Sequence, residues 1–269
     1  MLPTPDTSHV SYDRVYEPAE DSFLLLDTLS SATETTFLRS RFPPPPSSPP
    51  ALVVEVGTGS GVVLAFATAH ALAIFGTRHV LTAGVDVSSF ACRATVATVG
   101  KAAGASASSP GSRGVFLGSF TGDLATPWRD GAVDVLVFNP PYVPTPEMPV
   151  RPASFGEGED EDEDEHGGGT TSRDHDSYLL SLSYAGGRDG METTERLVAV
   201  LPRILAQRGC AYLLLCAQNK PERVKARIRG FGAGWRAETV ASSGKTAGWE
   251  KLQVLRIWRD HGGGNGSGS

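Results

Sequence analysis

The chain has 269 residues, with 40% hydrophobic and 20% charged side chains, enough to bury one substantial core. It contains no run of about 18 apolar residues, which argues against a membrane-spanning helix. The formal charge of −6 is uneven: Glu157 to Glu165 holds eight acidic residues, and without them 24 basic side chains stand against 22 acidic ones. A nearly neutral body is not the basic surface expected of a protein that grips duplex nucleic acid.

The first residues, Met1 to His9, are polar and carry prolines. They have neither a basic n-region nor an apolar h-region, so a cytoplasmic or nuclear location is expected rather than secretion. Residues 1–42 are expected to form a helical N-terminal segment. Phe42 to Pro50 (FPPPPSSPP) reads as an extended spacer outside any core. Residues 51–260 form the main domain.

Within that domain, strand and helix alternate. Ala51 to Val56 is a short apolar run that suits a buried parallel strand. Ser60 to Phe75 follows as one helix, with Val62, Phe66, Ala69 and Ala73 at helical spacing. Val80 to Val85 is the second strand and Ser88 to Gly100 the second helix. Ala102 to Gly114 reads as a loop and Val115 to Leu117 as a short third strand. Val133 to Phe138 is the fourth strand. Arg151 to Arg173, which contains the acidic run and Gly167-Gly168-Gly169, is an expected disordered insert. Gly190 to Gln207 is helical, and Pro202 is expected to kink or split it near Leu201. Ala211 to Ala217 is the fifth strand, followed by a helix over Pro221 to Arg229. Trp235 to Ala241 and Lys251 to Trp258 have no helix between them and are expected to pair as an antiparallel hairpin. The second of these is apolar on both faces. His261 to Ser269 reads as a flexible tail.

The pattern predicts an α/β fold: a seven-stranded, mostly parallel, Rossmann-like sheet closed by an antiparallel pair. Ligands on such sheets bind at the carboxyl ends of the strands, near the switch point. Four strand ends therefore carry the functional argument.

After strand one, Glu55-Val56-Gly57-Thr58-Gly59-Ser60-Gly61 lets the backbone approach a ligand or simply turn tightly into a helix. Its third glycine falls one residue early for a dinucleotide fingerprint. After strand two, Asp86 followed by Val87 either accepts ribose hydroxyls of an adenosine cofactor or caps the next helix. After strand three, Asp123 either accepts an adenine amine, with Leu124 against the ring, or is an ordinary loop residue. After strand four comes Asn139-Pro140-Pro141-Tyr142. A carboxamide or exocyclic amine nitrogen is a poor nucleophile because its lone pair is delocalised. The Asn139 oxygen can accept one N–H and the Pro140 carbonyl another, which aims the nitrogen. Pro140 and Pro141 stiffen the turn and Tyr142 can stack on the planar group.

Together the glycine loop and Asn-Pro-Pro-Tyr resemble the amino-group methyltransferases, which include HemK-type release-factor glutamine methyltransferases and N6-adenine DNA methyltransferases. Val15 to Asp27 (VYEPAEDSFLLLD), Val137 to Val143 and Ala185 to Gly190 resemble the eukaryotic and archaeal HemK-like branch. That resemblance implies a class I methyltransferase that uses S-adenosyl-L-methionine to methylate the glutamine of the Gly-Gly-Gln motif in the class I termination factor. It implies cofactor contacts from Ser22, Glu55, Gly57, Thr58, Gly59, Asp86, Val87, Asp123, Leu124 and Asn139. Asn139, Pro140, Pro141 and Tyr142 would hold the substrate. It also implies a heterodimer with a small zinc-binding activator subunit along Val115 to Leu117, because an exposed edge strand needs a cover.

Three other readings remain. An N6-adenine DNA methyltransferase would use the same tetrapeptide on a flipped base but needs a basic reading surface, which the sequence lacks. A protein lysine methyltransferase would suit the acidic insert but not an asparagine acceptor. A non-catalytic scaffold would not need chemical groups at all four strand ends. Cys92, Cys210 and Cys216 have no metal-ligand spacing and are expected to be buried thiols, so no metal site is expected from this chain.

Overall fold

The computed structural model describes residues 2–105, 111–150, 177–244 and 251–260. The acidic insert and the glycine-rich tail lie outside these residues.

Seven strands form one sheet: β1 (Ala51–Val56), β2 (Val80–Asp86), β3 (Val115–Thr121), β4 (Val133–Phe138), β5 (Leu205–Cys216), β6 (Trp235–Ser242) and β7 (Leu252–Arg259). Their order is β3-β2-β1-β4-β5-β7-β6. The neighbouring pairs from β3 to β5 are parallel; β7 runs antiparallel to both β5 and β6. The expected final pair is present, with β7 inserted between β5 and β6. Leu252, Val254 and Trp258 of β7 join the core on one face of the sheet and Leu255 and Ile257 the core on the other, which explains its two-sided apolar pattern. Connections run outward from β1 in one direction and from β4 in the other. The switch point therefore falls between them, where Val56 pairs with Phe138 and both chains leave the sheet together.

Helices α1 (Glu20–Ser30), α2 (Ala32–Arg41), α3 (Val62–Ala69) and α4 (Ala71–Phe75) contribute Leu25, Leu38, Phe66 and Ile74 to a core with Val53, Val135 and Tyr212 of the sheet. Each fully buried leucine in it contributes about 1.5–3 kcal/mol of transfer free energy. On the other face, α6 (Glu192–Ile204) and α7 (Pro221–Arg229) pack Leu197, Leu201 and Ile228 against Val54, Leu136 and Leu213. Helix α5 (Ser89–Ala105) joins α3 through Val99 and Ala102 against Ala65 and Ala69.

The N-terminal helices are anchored by a buried ion pair. Glu34 is fully buried and its carboxylate accepts from Arg256 Nη1 at 2.8 and 3.0 Å and from the Tyr212 hydroxyl at 2.8 Å. The Arg256 guanidinium also lies over the rings of Phe37 and Trp258, at 4.0 and 4.5 Å from their centroids. At the start of β4, Arg208 forks onto Asp134 at 2.7 and 3.0 Å, while Asp134 accepts the Leu52 N–H at 2.9 Å.

Several expectations are corrected. The helix expected over Ser60 to Phe75 is two helices that break at His70, and the first begins only at Val62. Gly61, at φ +77°, occupies its N-cap, and any Cβ there would lie 2.5 Å from the Thr95 Cα. The helix expected to end at Gly100 continues to Ala105, where a loop was expected, because Val99 and the small Ala102 pack on α3. β3 continues to Thr121, since it follows β2 in register as far as Asp86. Helix α6 is not split at Leu201. Pro202 lies two residues from its end, where the missing N–H costs one bond, and Leu205 N–H still reaches Leu201 O. β5 starts at Leu205, so Gln207 belongs to strand rather than helix. Phe42, placed in the spacer, is instead 2% exposed and packs edge-on against Phe75.

Candidate active site

The carboxyl ends of β1, β2 and β4 and the start of α1 enclose a cavity of about 220 Å³. Its walls include Ser22, Glu55, Gly57, Thr58, Gly59, Asp86, Val87 and the whole Asn139-Pro140-Pro141-Tyr142 turn. Eleven expected site residues thus share one cavity, drawn from segments far apart in sequence.

Asp86 ends β2 and its carboxylate accepts the Ser88 N–H at 2.8 Å and the Gly59 N–H at 3.1 Å. It therefore ties the glycine loop to the turn into α5 while facing the cavity, so the capping and ligand readings are compatible. Burial raises its pKa. Burial pushes Glu55 well above the usual carboxylate range, although its Oε2 accepts the Leu64 N–H at 2.9 Å. Gly61 has no side chain to cap α3, and Glu55 supplies the acceptor from β1 instead.

Asn139 follows the last residue of β4, beside the glycine loop. Its Oδ1 is buried with no hydrogen-bond partner, as is Thr58 Oγ1 on the same cavity wall. A buried acceptor without a partner costs free energy unless a ligand or water satisfies it. The two orphaned oxygens, the glycine backbone and the Asp86 carboxylate fit an adenosyl amino-acid cofactor carrying hydroxyls and amine donors, with a substrate amide beside it.

The structure adds residues to the site. Arg14, Val15, Tyr16 and Asp21 line the cavity from the N-terminal segment, and Leu179, Leu182, Ser183 and Tyr184 from the other side. Asp21 is 2% exposed, and its Oδ2 accepts from the Tyr16 hydroxyl at 3.0 Å and the Tyr142 hydroxyl at 3.4 Å. The Ser22 hydroxyl donates to Asp21 Oδ1 at 3.1 Å. The signal for Asp21 and Tyr16 was their place in the VYEPAEDSF segment, but only tertiary contact shows their convergence on Tyr142.

Two expected cofactor residues are not brought into the cavity wall. Asp123 is half exposed and forms an ion pair with Arg196 of α6. Leu124 has φ +52° and packs against the core beneath α6. Cys92, Cys210 and Cys216 are buried, and burial pushes the Cys210 thiol up to about 12. Among the described residues, no cluster of three metal-ligating side chains occurs and no helix is long and apolar enough to cross a membrane.

No family model matches the chain. It is 31% identical to methyltransferase HEMK2 of Mus musculus, over 95% of this chain and 96% of that one. The chain belongs to the HEMK2 and Mtq2 methyltransferase family. It is likewise 31% identical to the eRF1 methyltransferase catalytic subunit mtq2 of Schizosaccharomyces pombe, over 96% of each chain. A putative protein N5-glutamine methyltransferase of Methanocaldococcus jannaschii is 26% identical over 92% of this chain and 93% of that one. Among solved structures, the fold is shared with the E. cuniculi Mtq2–Trm112 complex, responsible for methylation of the eRF1 termination factor. The TM-score is 0.51 at 20% identity, covering 92% of this chain and 99% of that one. The Rossmann-like sheet found here is thus shared with a solved structure named for that family.

Proposed function

We propose that this chain transfers a methyl group from S-adenosyl-L-methionine to the side-chain amide nitrogen of the Gly-Gly-Gln glutamine in the class I termination factor. The observation that carries this reading is the unpartnered Asn139 Oδ1 at the β1–β4 switch point, within a cavity also walled by Asp86 and Tyr142. Membership of a family that includes an eRF1 methyltransferase subunit supports the choice of substrate.

Bound cofactor supplies an electrophilic methyl group. Asn139 Oδ1 accepts one amide N–H of the substrate, and the Pro140 carbonyl accepts the other. Both are fixed by the turn that leaves β4, so the amide loses little further freedom on binding. Tyr142 covers the planar amide, and its hydroxyl is held by Asp21. The nitrogen becomes acidic as its new bond forms, so no strong base is required beforehand. Asp86 holds the ribose hydroxyls while its other hydrogen bonds keep the glycine loop in place. Asn139→Ala should fold normally and transfer methyl at no more than about a hundredth of the wild-type rate; ordinary turnover by that variant would overturn the reading.

The functional unit we propose is a heterodimer with a small zinc-binding activator. β3 is one of the two sheet edges, and Val115, Leu117 and Phe120 on it are half-exposed, as is Val96 of α5. An apolar, unpaired edge of this kind suits strand addition by a partner. The solved structure named as an Mtq2–Trm112 complex supports the presence of a partner subunit. Buried cysteine thiols suit a reducing compartment, and we assign the protein to the cytoplasm or nucleus.

A further inference from the structure

The strand that follows the active-site turn in the sheet ends in a residue that holds this turn from behind. Asn219 closes the 3-10 turn Ala217–Asn219 after β5 and is 2% exposed. Its Oδ1 accepts the Cys216 N–H at 2.7 Å. Its Nδ2 donates to three carbonyls: Tyr142 at 2.9 Å, Asp189 at 2.9 Å and Gly190 at 3.3 Å. One carboxamide therefore joins the end of β5, the last residue of Asn139-Pro140-Pro141-Tyr142, and the Ala185 to Gly190 loop.

The surrounding backbone is built closely around this junction. Gly190 has φ +67°, and a Cβ there would stand 2.0 Å from the Tyr142 oxygen and 2.6 Å from Asn219 Nδ2. The next residue along, Val143, exchanges backbone bonds with the same loop: its N–H reaches Tyr184 O at 3.1 Å, and its O accepts Gly186 N–H at 2.8 Å. Asp189 and Lys220 flank Asn219 and its contacts, with φ +56° and +54°. Two non-glycine residues in this region of backbone space cost free energy that the local contacts must offset. Asn219 does not wall the 220 Å³ cavity. It lines a second cavity of about 480 Å³, on the far side of the turn among Arg188, Glu192 and Arg223.

We propose that Asn219 is a positioning residue for methyl transfer. It fixes the Tyr142 carbonyl and thereby the turn that presents Asn139 and Pro140 to the substrate amide. The proposal rests on that turn being the amide-binding element. Asn139 and Pro140 are followed by only Pro141 before the carbonyl that Asn219 holds, and two successive prolines transmit a displacement rather than absorb it. Tyr142 carries the side chain that contacts Asp21, so a shift at its carbonyl also moves the aromatic wall.

Asn219→Asp tests this with an isosteric change. It keeps the acceptor for Cys216 and replaces the donor with a carboxylate oxygen facing three carbonyls. In the chain co-purified with its small partner subunit, kcat should fall about 30- to 100-fold, while affinity for S-adenosylhomocysteine changes less than about threefold. Hydrogen exchange should accelerate in 139–146 and 185–191 but not in β1 or β2. If Asn219→Asp does not fold, Asn219→Ser, which cannot reach Tyr142 and adds no charge, carries the same test. Wild-type-like kcat and exchange would overturn the proposal. So would equal losses of kcat and cofactor affinity with exchange raised across the sheet, which is the mark of general destabilisation. If the wild type transfers no label to the termination factor, the substrate reading fails, but the exchange pattern still decides whether Asn219 holds the turn.

Discussion

The Tyr142 hydroxyl donates to the Asp21 carboxylate at 3.4 Å, linking the active-site turn to a helix 121 residues earlier in the chain. Tyr16 donates to the same oxygen at 3.0 Å. A buried carboxylate thus orients two aromatic side chains around the cavity, and α1 is part of the site. Asp21→Asn puts an amide N–H where one of these acceptors stood. We expect kcat/KM to fall about 10- to 100-fold with only a small loss of stability. Steady-state kinetics alongside thermal melting check this; unchanged kinetics would make the contact incidental.

Helix α2 depends on the pair Glu34–Arg256, whose side chains are 0% and 10% exposed. Removing one member leaves a buried charge, which costs about 3–5 kcal/mol. Glu34→Ala should lower the unfolding free energy by that amount in a denaturant titration. Glu34→Leu combined with Arg256→Met should recover much of the loss, because it replaces both charges with apolar volume. No recovery would mean that the ring contacts of Arg256, rather than its charge, anchor the helix.

Asp86 and Asp123 end successive strands yet have different surroundings. Asp86 faces the cavity with two backbone donors on it, while Asp123 is paired with Arg196 outside the wall. Asp86→Ala should weaken S-adenosylhomocysteine binding by about 10-fold or more, the loss expected for hydrogen bonds to a charged acceptor. Asp123→Ala should have a much smaller effect. Calorimetry on both variants decides; an equal loss would bring Asp123 into the cofactor site.

Burial raises the pKa of Glu55 in the folded chain. A carboxyl with a raised folded-state value favours folding fully below its unfolded value, about 4.3. That contribution is lost as pH rises through the folded-state value. The ligand-free protein should therefore lose stability from this group as pH increases above the ordinary glutamate range, and Asp86 acts in the same direction. Glu55→Gln keeps an acceptor for Leu64 N–H and removes the titration. Its melting temperature should fall less than that of the wild type between pH 5 and pH 8, and parallel curves would contradict this.

The sheet and its switch point were legible in sequence where strands are buried on both faces, as in Val133 to Phe138 and Ala211 to Cys216. Edges and junctions were not. Leu205 to Gln207 looks like a helix end because Gln207 and the following Arg208 are polar, but the sheet holds Arg208 through Asp134. Phe120 and Thr121 extend β3 although Gly118 and Ser119 interrupt its apolar run. Four strand-end motifs were readable, and three of them meet at the cavity, because local chemistry and strand polarity suffice to place them. Asp123 did not follow, since its partner Arg196 comes from a distant helix. Tyr16, Asp21 and Asn219 gain their positions from contacts across 77 or more residues or from turns with no periodic signal, so their roles required the structure.

The central claim is tested most directly by radiolabelled methyl transfer from S-adenosyl-L-methionine, using this chain co-expressed with the proposed small zinc-binding subunit. The termination factor, its Gly-Gly-Gln to Gly-Gly-Ala variant and duplex DNA serve as parallel acceptors. We predict label on the factor alone, lost in the Gly-Gly-Ala variant. Label on DNA instead, or equal label on the Gly-Gly-Ala variant, would contradict methylation of that glutamine.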